Sequence, residues 1–445
     1  MAAPTHGDAA PADGEAAPAA RFRNPLDPRN PLSGLYLATG LFELAEGALR
    51  FLVPINLDAR GLTPAQVGFV IFAFSLTSLL ARGVAGALFR PDRARVLIIG
   101  AGLASTIAYL LTPFVSDVAS FTVLMAIDGF GWGIATTCLF TMLLLCTPAT
   151  ISPAVAMGWY IGFQGLALAI ATTVGGLLGQ SLGIGTAMLV LATLPVLAAV
   201  FISVRLPPVL RSTVDPARAV DPTGAARPSL RARLSASVRR TGLLPFAVWS
   251  AALVAVYLNV INGLLQSFFP ILGLALGLSI AQIGTLSSIR TGISSVARFG
   301  AGWIFEQVRP ERIHLPLLIV SAATLAILPS VGAYLLLLPL FAANGISRGL
   351  LRVTTSATAM EETPGHQAGM AAAVMTAGLD VGKMLGPLIG GLVAGAIGLE
   401  AMFRIVPFAF LAIYLVLFLA SERRRRAPVP AHPHEPAPAN PAEEP

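Results

Sequence analysis

The chain has 445 residues, 55% of them hydrophobic and 11% charged, with a formal net charge of +7. Soluble domains carry about 25% charged residues, so this composition excludes a water-soluble globule. The arginines are spread through separate loops rather than gathered on one face, which excludes nucleic acid as the reason for the positive balance.

Residues 1–32 are rich in Ala and Pro, lack apolar periodicity and read as a disordered tail; no apolar stretch follows Met1 closely enough to make a signal peptide. Twelve apolar segments follow, at 33–57, 64–89, 95–115, 118–146, 152–180, 183–204, 242–271, 278–305, 313–331, 333–360, 367–397 and 400–420. Each is long enough to cross roughly 30 Å of hydrocarbon as a helix. The expected fold class is an all-α membrane protein: six helices over 33–204, an Arg-rich linker over 205–241, six more helices over 242–421 and a second disordered tail over 422–445. Arginines cluster after the second helix (Arg90, Arg93, Arg95), after the sixth (Arg211 to Arg240), after the eighth (Arg309, Arg312) and at the end (Arg423 to Arg426). Loops after odd-numbered helices hold little beyond Asp58, Arg60, Asp117 and Glu400. Basic residues in every second loop place both termini in the cytoplasm of a plasma-membrane protein. Cys138 and Cys146 lie eight apart on one helix, too far to bridge, and His432 and His434 sit in a Pro-rich tail. Neither pair suggests a metal or a cofactor.

Charge inside the membrane follows a pattern. The first helix, "LFELAEGALRFLVP", carries Glu43, Glu46 and Arg50 within about 60° of one another on its circumference. The fourth carries Asp128 beside Gly129, Gly131 and Gly133, and the fifth carries Gln164. The seventh has a neutral stripe of Asn259, Asn262 and Gln266, and the eighth has Arg290 among Ser287, Ser288, Thr291 and Ser294. The tenth aligns Asn344, Arg348 and Arg352 on one face, and the eleventh has Asp380 and Lys383. The third, sixth, ninth and twelfth have no charge near the middle. Each charge at mid-bilayer costs about 2.5–3.5 kcal/mol, so these nine facing lipid would cost roughly 25 kcal/mol. They must face water or one another. Two static alternatives stand beside a transport role: Glu46 with Arg50 at i,i+4, and Asp380 with Lys383 at i,i+3, each as a plain ion pair. Arg82, Arg298 and Arg352 lie near helix ends, where they snorkel or latch. Lys383 is the chain's one lysine; the other 28 of 29 basic residues are arginine. An ammonium loses a proton, or serves as a point counter-charge, more readily than a guanidinium does.

The octet "GLTPAQVG" at 61–68 returns as "GLSIAQIG" at 277–284, and the offset of 216 holds far beyond it. Pro54 meets Pro270, Ala81-Arg82 meets Ala297-Arg298, Gly129 and Gly133 meet Gly345 and Gly349, and Gly175 meets Gly391. The chain is two copies of a six-helix unit. Six is even, so both copies cross the membrane in the same sense, an architecture that transporters use around a central site.

These halves resemble the major facilitator superfamily over roughly residues 33–421. The family's loop between its second and third helices is matched by "GALFRPDRAR" from Gly86 and "GWIFEQVRPER" from Gly302, with Arg90 and Glu306 at its acidic position. The resemblance implies a cytoplasmic gate or latch there, built from Arg82, Gly86, Arg90, Arg298, Gly302 and Glu306, and it makes every third helix an outer support. "GLDVGKMLGPLIGG" at 378–391 resembles a glycine element of the family's proton-coupled antiporters.

The expected function is therefore a secondary carrier working by alternating access as a monomer in the lipid bilayer, moving a small polar or anionic solute with H⁺. Glu43, Glu46, Asp128 and Asp380 are the proton-coupling candidates. Arg50, Arg290, Arg348 and Lys383 are the substrate-binding cations, and Asn259, Asn262, Gln266, Gln164 and Asn344 the neutral partners. Efflux antiport is favoured over proton-driven uptake of an organic anion, with a non-transporting receptor as a remote third reading. "GISRG" at 345–349 matches the nucleophile signature G-x-S-x-G, but inside a membrane helix without a histidine nearby it predicts no enzyme.

Overall fold

The computed structural model describes residues 30, 32–90, 93–148, 151–205, 244–307, 310–361, 363 and 367–426. Most of the linker expected at 205–241, most of both expected tails, and His366, His432 and His434 lie outside the described residues. Twelve membrane-length helices are described: α1 (Ser33–Ala59), α2 (Pro64–Leu88), α3 (Ala94–Leu111), α4 (Val118–Cys146), α5 (Pro153–Leu182), α6 in two pieces (Ile184–Leu191 and Thr193–Arg205), α7 (Phe246–Ala275), α8 (Ile280–Gln307), α9 (Pro310–Ile327), α10 (Tyr334–Glu361), α11 (Ala368–Ile397) and α12 (Leu399–Arg426).

The repeated octet is one corner built twice. Gly61 takes φ +81°, a left-handed conformation that side chains resist, and ends α1. Leu62 is buried. Thr63 then caps α2: its hydroxyl accepts the Gln66 N–H, while the Gln66 side chain accepts the Thr63 N–H. Between α7 and α8 the same roles fall to Gly277 at φ +84°, buried Leu278, Ser279 and Gln282. At the α3–α4 corner Asp117 caps α4, accepting the Ser120 N–H at 2.8 Å, and that backbone donor holds its carboxyl below the usual range.

Among the segments whose bounds differ from the sequence expectation, three stand out. The sixth helix is broken at Ala192, because Pro195 has no N–H for the Leu191 carbonyl and the Thr193 hydroxyl turns back to the Val190 carbonyl at 2.8 Å. The seventh starts at Phe246, after Pro245, and runs past Pro270 to Ala275, just as α1 runs past Pro54. The twelfth continues to Arg426 rather than stopping at 420.

The packing repeats as the sequence does. Helix α1 packs on α5 as α7 packs on α11, and α2 packs on α4 as α8 packs on α10. The halves meet along two seams, α2 with α11 and α5 with α8, which the 216-residue offset exchanges. Glycines let backbones touch at the end carrying the α1–α2 and α7–α8 corners. A Cβ on Gly391 would come within 2.6 Å of the Pro64 carbonyl, and one on Gly176 within 2.8 Å of the Ile280 carbonyl. On the α5–α8 seam Ser288 is bonded to the hydroxyls of Thr172 and Thr173, each at 2.7 Å. Toward the other end the glycines stand free: a Cβ on Gly83, Gly158 or Gly162 would meet nothing within 4 Å.

Ten helices are apolar and long enough to cross a membrane by length and composition. The two that fall short are α1 and α8, which carry Glu43, Glu46 and Arg50, and Arg290, Arg298 and Glu306. Yet α1 is buried along most of its length. Its charges are inside the protein, while large apolar side chains such as Leu80, Val96, Leu335 and Val416 cover the outside.

Candidate functional site

The first half holds an acidic cluster around α1. Glu46 is fully buried; its Oε1 lies 3.3 Å from Arg50 Nε and accepts the Tyr109 hydroxyl of α3 at 3.2 Å. The i,i+4 pair read from the sequence is formed, and it belongs to a larger group. Asp128 of α4 is also fully buried, beside Glu46, Arg50, Ser105 and Tyr109, and neither of its oxygens has an aligned hydrogen bond. One turn away from Glu46, the buried Glu43 accepts the Gln164 Nε2 donor of α5 at 3.0 Å. Three carboxyls and one guanidinium thus share one enclosure behind the seam.

The second half answers with cations. Arg290 is 3% exposed; one guanidinium nitrogen donates to Asn262 Oδ1 at 2.7 Å and another to Asn344 Oδ1 at 3.5 Å. Asn344 is aimed by its own donor, which reaches Thr324 Oγ1 at 3.1 Å. The position matching Asp128 therefore faces α9 as Asp128 faces α3, with an amide replacing the acid. Half-buried Arg348 has Arg290, Arg298 and Arg352 as its charged neighbours and no acid among them. Arg298 bonds the Ser294 carbonyl at 3.1 Å and Ser295 Oγ at 3.0 Å. Arg352 is exposed.

Between the halves stands Trp132 of α4. Its ring centroid lies 4.9 Å from the Arg50 guanidinium carbon, 5.7 Å from that of Arg82 and 5.8 Å from Lys383 Nζ. Lys383 is exposed, but its ammonium is turned toward this indole of the opposite half. Asp380 does not pair with Lys383 as the i,i+3 spacing suggested. It pairs across the seam with Arg82 of α2, Nη1 to Oδ2 2.6 Å, because α2 lies directly against α11.

Some candidates stand apart. Asn259 is buried against α11 and donates to the Ala255 carbonyl of its own helix at 3.1 Å; Gln266 is exposed. Gly86 and Arg90 are exposed, and the surroundings of Gly302 and Glu306 are outside what the structure describes. The glycines of "GISRG" serve packing: a Cβ on Gly345 would meet the Arg290 carbonyl at 2.6 Å, and Ser347 Oγ is bonded to the Ala343 carbonyl at 2.9 Å. Trp132, Tyr109 and Ser105 were missed from the sequence. The repeat did carry a signal for the first, since the 216-residue offset sets Trp132 opposite Arg348.

A sequence model described as Major Facilitator Superfamily matches residues 35–375 and again 260–443. The chain belongs to that superfamily. Its members are transporters, not enzymes, so the buried charges belong to a multi-pass membrane carrier of small molecules. Solved structures agree on the fold. A nucleoside transporter, NupG, matches with TM-score 0.67 and 14% identity over 90% of this chain and 100% of that one. A bacterial homolog of the human lysosomal transporter Spinster, in an inward-facing and occupied conformation, matches with TM-score 0.68 and 15% identity over 88% and 96%. A search of curated protein sequences finds no match.

Proposed function

We propose that this transporter is a proton-coupled carrier of a small organic anion, open in this structure toward the arginine-rich cytoplasmic side and working as an efflux antiporter. The observation that carries the reading is the division of charge between the halves. The first half gathers Glu43, Glu46 and Asp128 around Arg50, while Arg290, Arg298, Arg348 and Arg352 stand together in the second without a carboxylate partner among the described residues. A cationic wall attracts an anion into the gap, and fixed guanidiniums suit carboxylate or phosphate. The proton then belongs to the acidic cluster. Glu46 and Asp128 are adjacent acceptors, and one proton between them converts the two into a donor and an acceptor.

The antiporter sense is supported by the α11 element: Gly378, Gly382 and Gly386 bring α11 against the Ala252, Val256 and Val260 backbone of α7. Uptake by proton symport is the second reading, favoured by the same arginines. The deciding experiment uses purified protein in liposomes loaded with radiolabelled organic anions, organic cations and neutral sugars. With acid imposed outside, antiport drives anions out and symport drives external anions in. Movement of cations or sugars alone would refute the anionic cargo, and indifference to the gradient would refute proton coupling.

A further inference from the structure

The cations around Trp132 are unevenly provided for. Arg50 has Glu46 and Arg82 has Asp380, but Lys383 has no ion-pair partner among the described residues. Its charged neighbours are Arg82, Arg50 and Arg352 against Asp380 and Glu43, so that with Lys383 itself the positive charges outnumber the negative ones. The Trp132 indole N–H is buried and has no acceptor among the described residues, the residue being only 8% exposed. A buried donor without a partner costs free energy, and buried donors in native proteins are nearly all satisfied. Beside this indole stand an ammonium from α11 and a guanidinium from α2, 5.8 and 5.7 Å from its ring centroid.

Resting on the reading of an anionic cargo, we propose that Arg82, Lys383 and Trp132 form the subsite for the cargo's carboxylate or equivalent oxyanion, and that this anion takes Arg82 from Asp380. Asp380 is the built-in stand-in: a carboxylate of the second half bound to a guanidinium of the first. The Arg82–Asp380 contact is the one ion pair joining the two halves among the described residues. A cargo carboxylate that replaces it moves the bond from protein to ligand and removes the ion pair that ties α2 to α11. Binding is thereby linked to the freedom of the halves to move, because a ligand shifts a conformational equilibrium only by binding one state better. The other cations, Arg290 and Arg348, lie in the second half and remain for the rest of the molecule.

The test is thermal stabilisation of the detergent-purified full chain by sodium benzoate and by sodium succinate, at constant ionic strength, with benzamide and succinamide as neutral counterparts. The native chain responds to at least one of the two anions and to neither amide. Arg82→Gln and Lys383→Gln each weaken the apparent affinity about tenfold, whereas Asp380→Asn, which removes the competitor, tightens it about tenfold. The gain in Asp380→Asn cannot come from misfolding. If Asp380→Asn weakens or does not change binding, or if Arg348→Gln abolishes the response while Arg82→Gln and Lys383→Gln leave it intact, the subsite is wrong and the anionic cargo stands. If neither anion stabilises the native chain, the subsite is wrong, and the liposome experiment decides separately whether the cargo is an anion.

Discussion

Glu46→Gln is expected to reduce pH-gradient-driven accumulation to the background of protein-free liposomes while leaving exchange of cargo for cargo measurable. Glutamine keeps the shape of the side chain and its contacts with Tyr109 and Arg50, but it neither takes up nor releases a proton. Exchange needs only alternating access; net accumulation needs the proton. Asp128→Asn is expected to do the same, because both acids share one enclosure with Arg50 and Tyr109. Tyr109→Phe removes a single hydrogen bond to Glu46, worth about 1 kcal/mol, so its effect is a few-fold and not a loss of coupling. If Glu46→Gln and Asp128→Asn both retain gradient-driven accumulation, the carboxyl cluster is structural.

The second large effect lies in the other half. Arg290 is held in the interior by two asparagine oxygens, with no carboxylate on it. Asn262→Leu removes the shorter of the two bonds and leaves part of a buried guanidinium without an acceptor. A hydrogen bond to a charged group is worth about 1.5–3 kcal/mol, and stripping a partner from a buried charge costs about 3–5 kcal/mol. Asn262→Leu is accordingly expected to unfold at clearly lower temperature than the parent in the same detergent. Adding Arg290→Leu is expected to restore part of the loss, since the charge that lacked a partner is then gone. A double variant less stable than the single one would mean that Arg290 packs as a spacer and that its charge is not what Asn262 stabilises.

Much of this arrangement was legible before any coordinates. The left-handed glycines Gly61 and Gly277 and the caps Thr63 and Ser279 recur 216 positions apart, so the repeat disclosed the two halves and the helix order. Apolar run length gave the helices, and the high cost of charge in lipid sent Glu43, Glu46, Asp128 and Arg290 inward. What local spacing could not give was partnership across helices. Asp380 and Lys383 sit one turn apart and looked like a pair, but the close approach of α2 and α11 offers Asp380 a guanidinium at 2.6 Å instead. Tyr109 lies on a helix with no charge near its middle, so nothing in its own neighbourhood marked it as the donor to Glu46. Trp132 looked like one more apolar residue on a glycine-rich helix. Its role comes from three cations on three other helices, two from its own half and one from the opposite half.

The transport and binding expectations require a watery gap between the halves that reaches Lys383 from the arginine-rich side. The most direct measurement places a single cysteine at position 383, with Cys138 and Cys146 replaced by alanine, and exposes it to a charged, membrane-impermeant maleimide in inside-out and right-side-out vesicles. Rapid labelling in inside-out vesicles and slow labelling in right-side-out ones is the predicted result, as the Gly391 and Gly176 contacts close the opposite end. Labelling from neither side, with reaction only toward a lipid-soluble maleimide, would put that side chain in hydrocarbon and contradict the account.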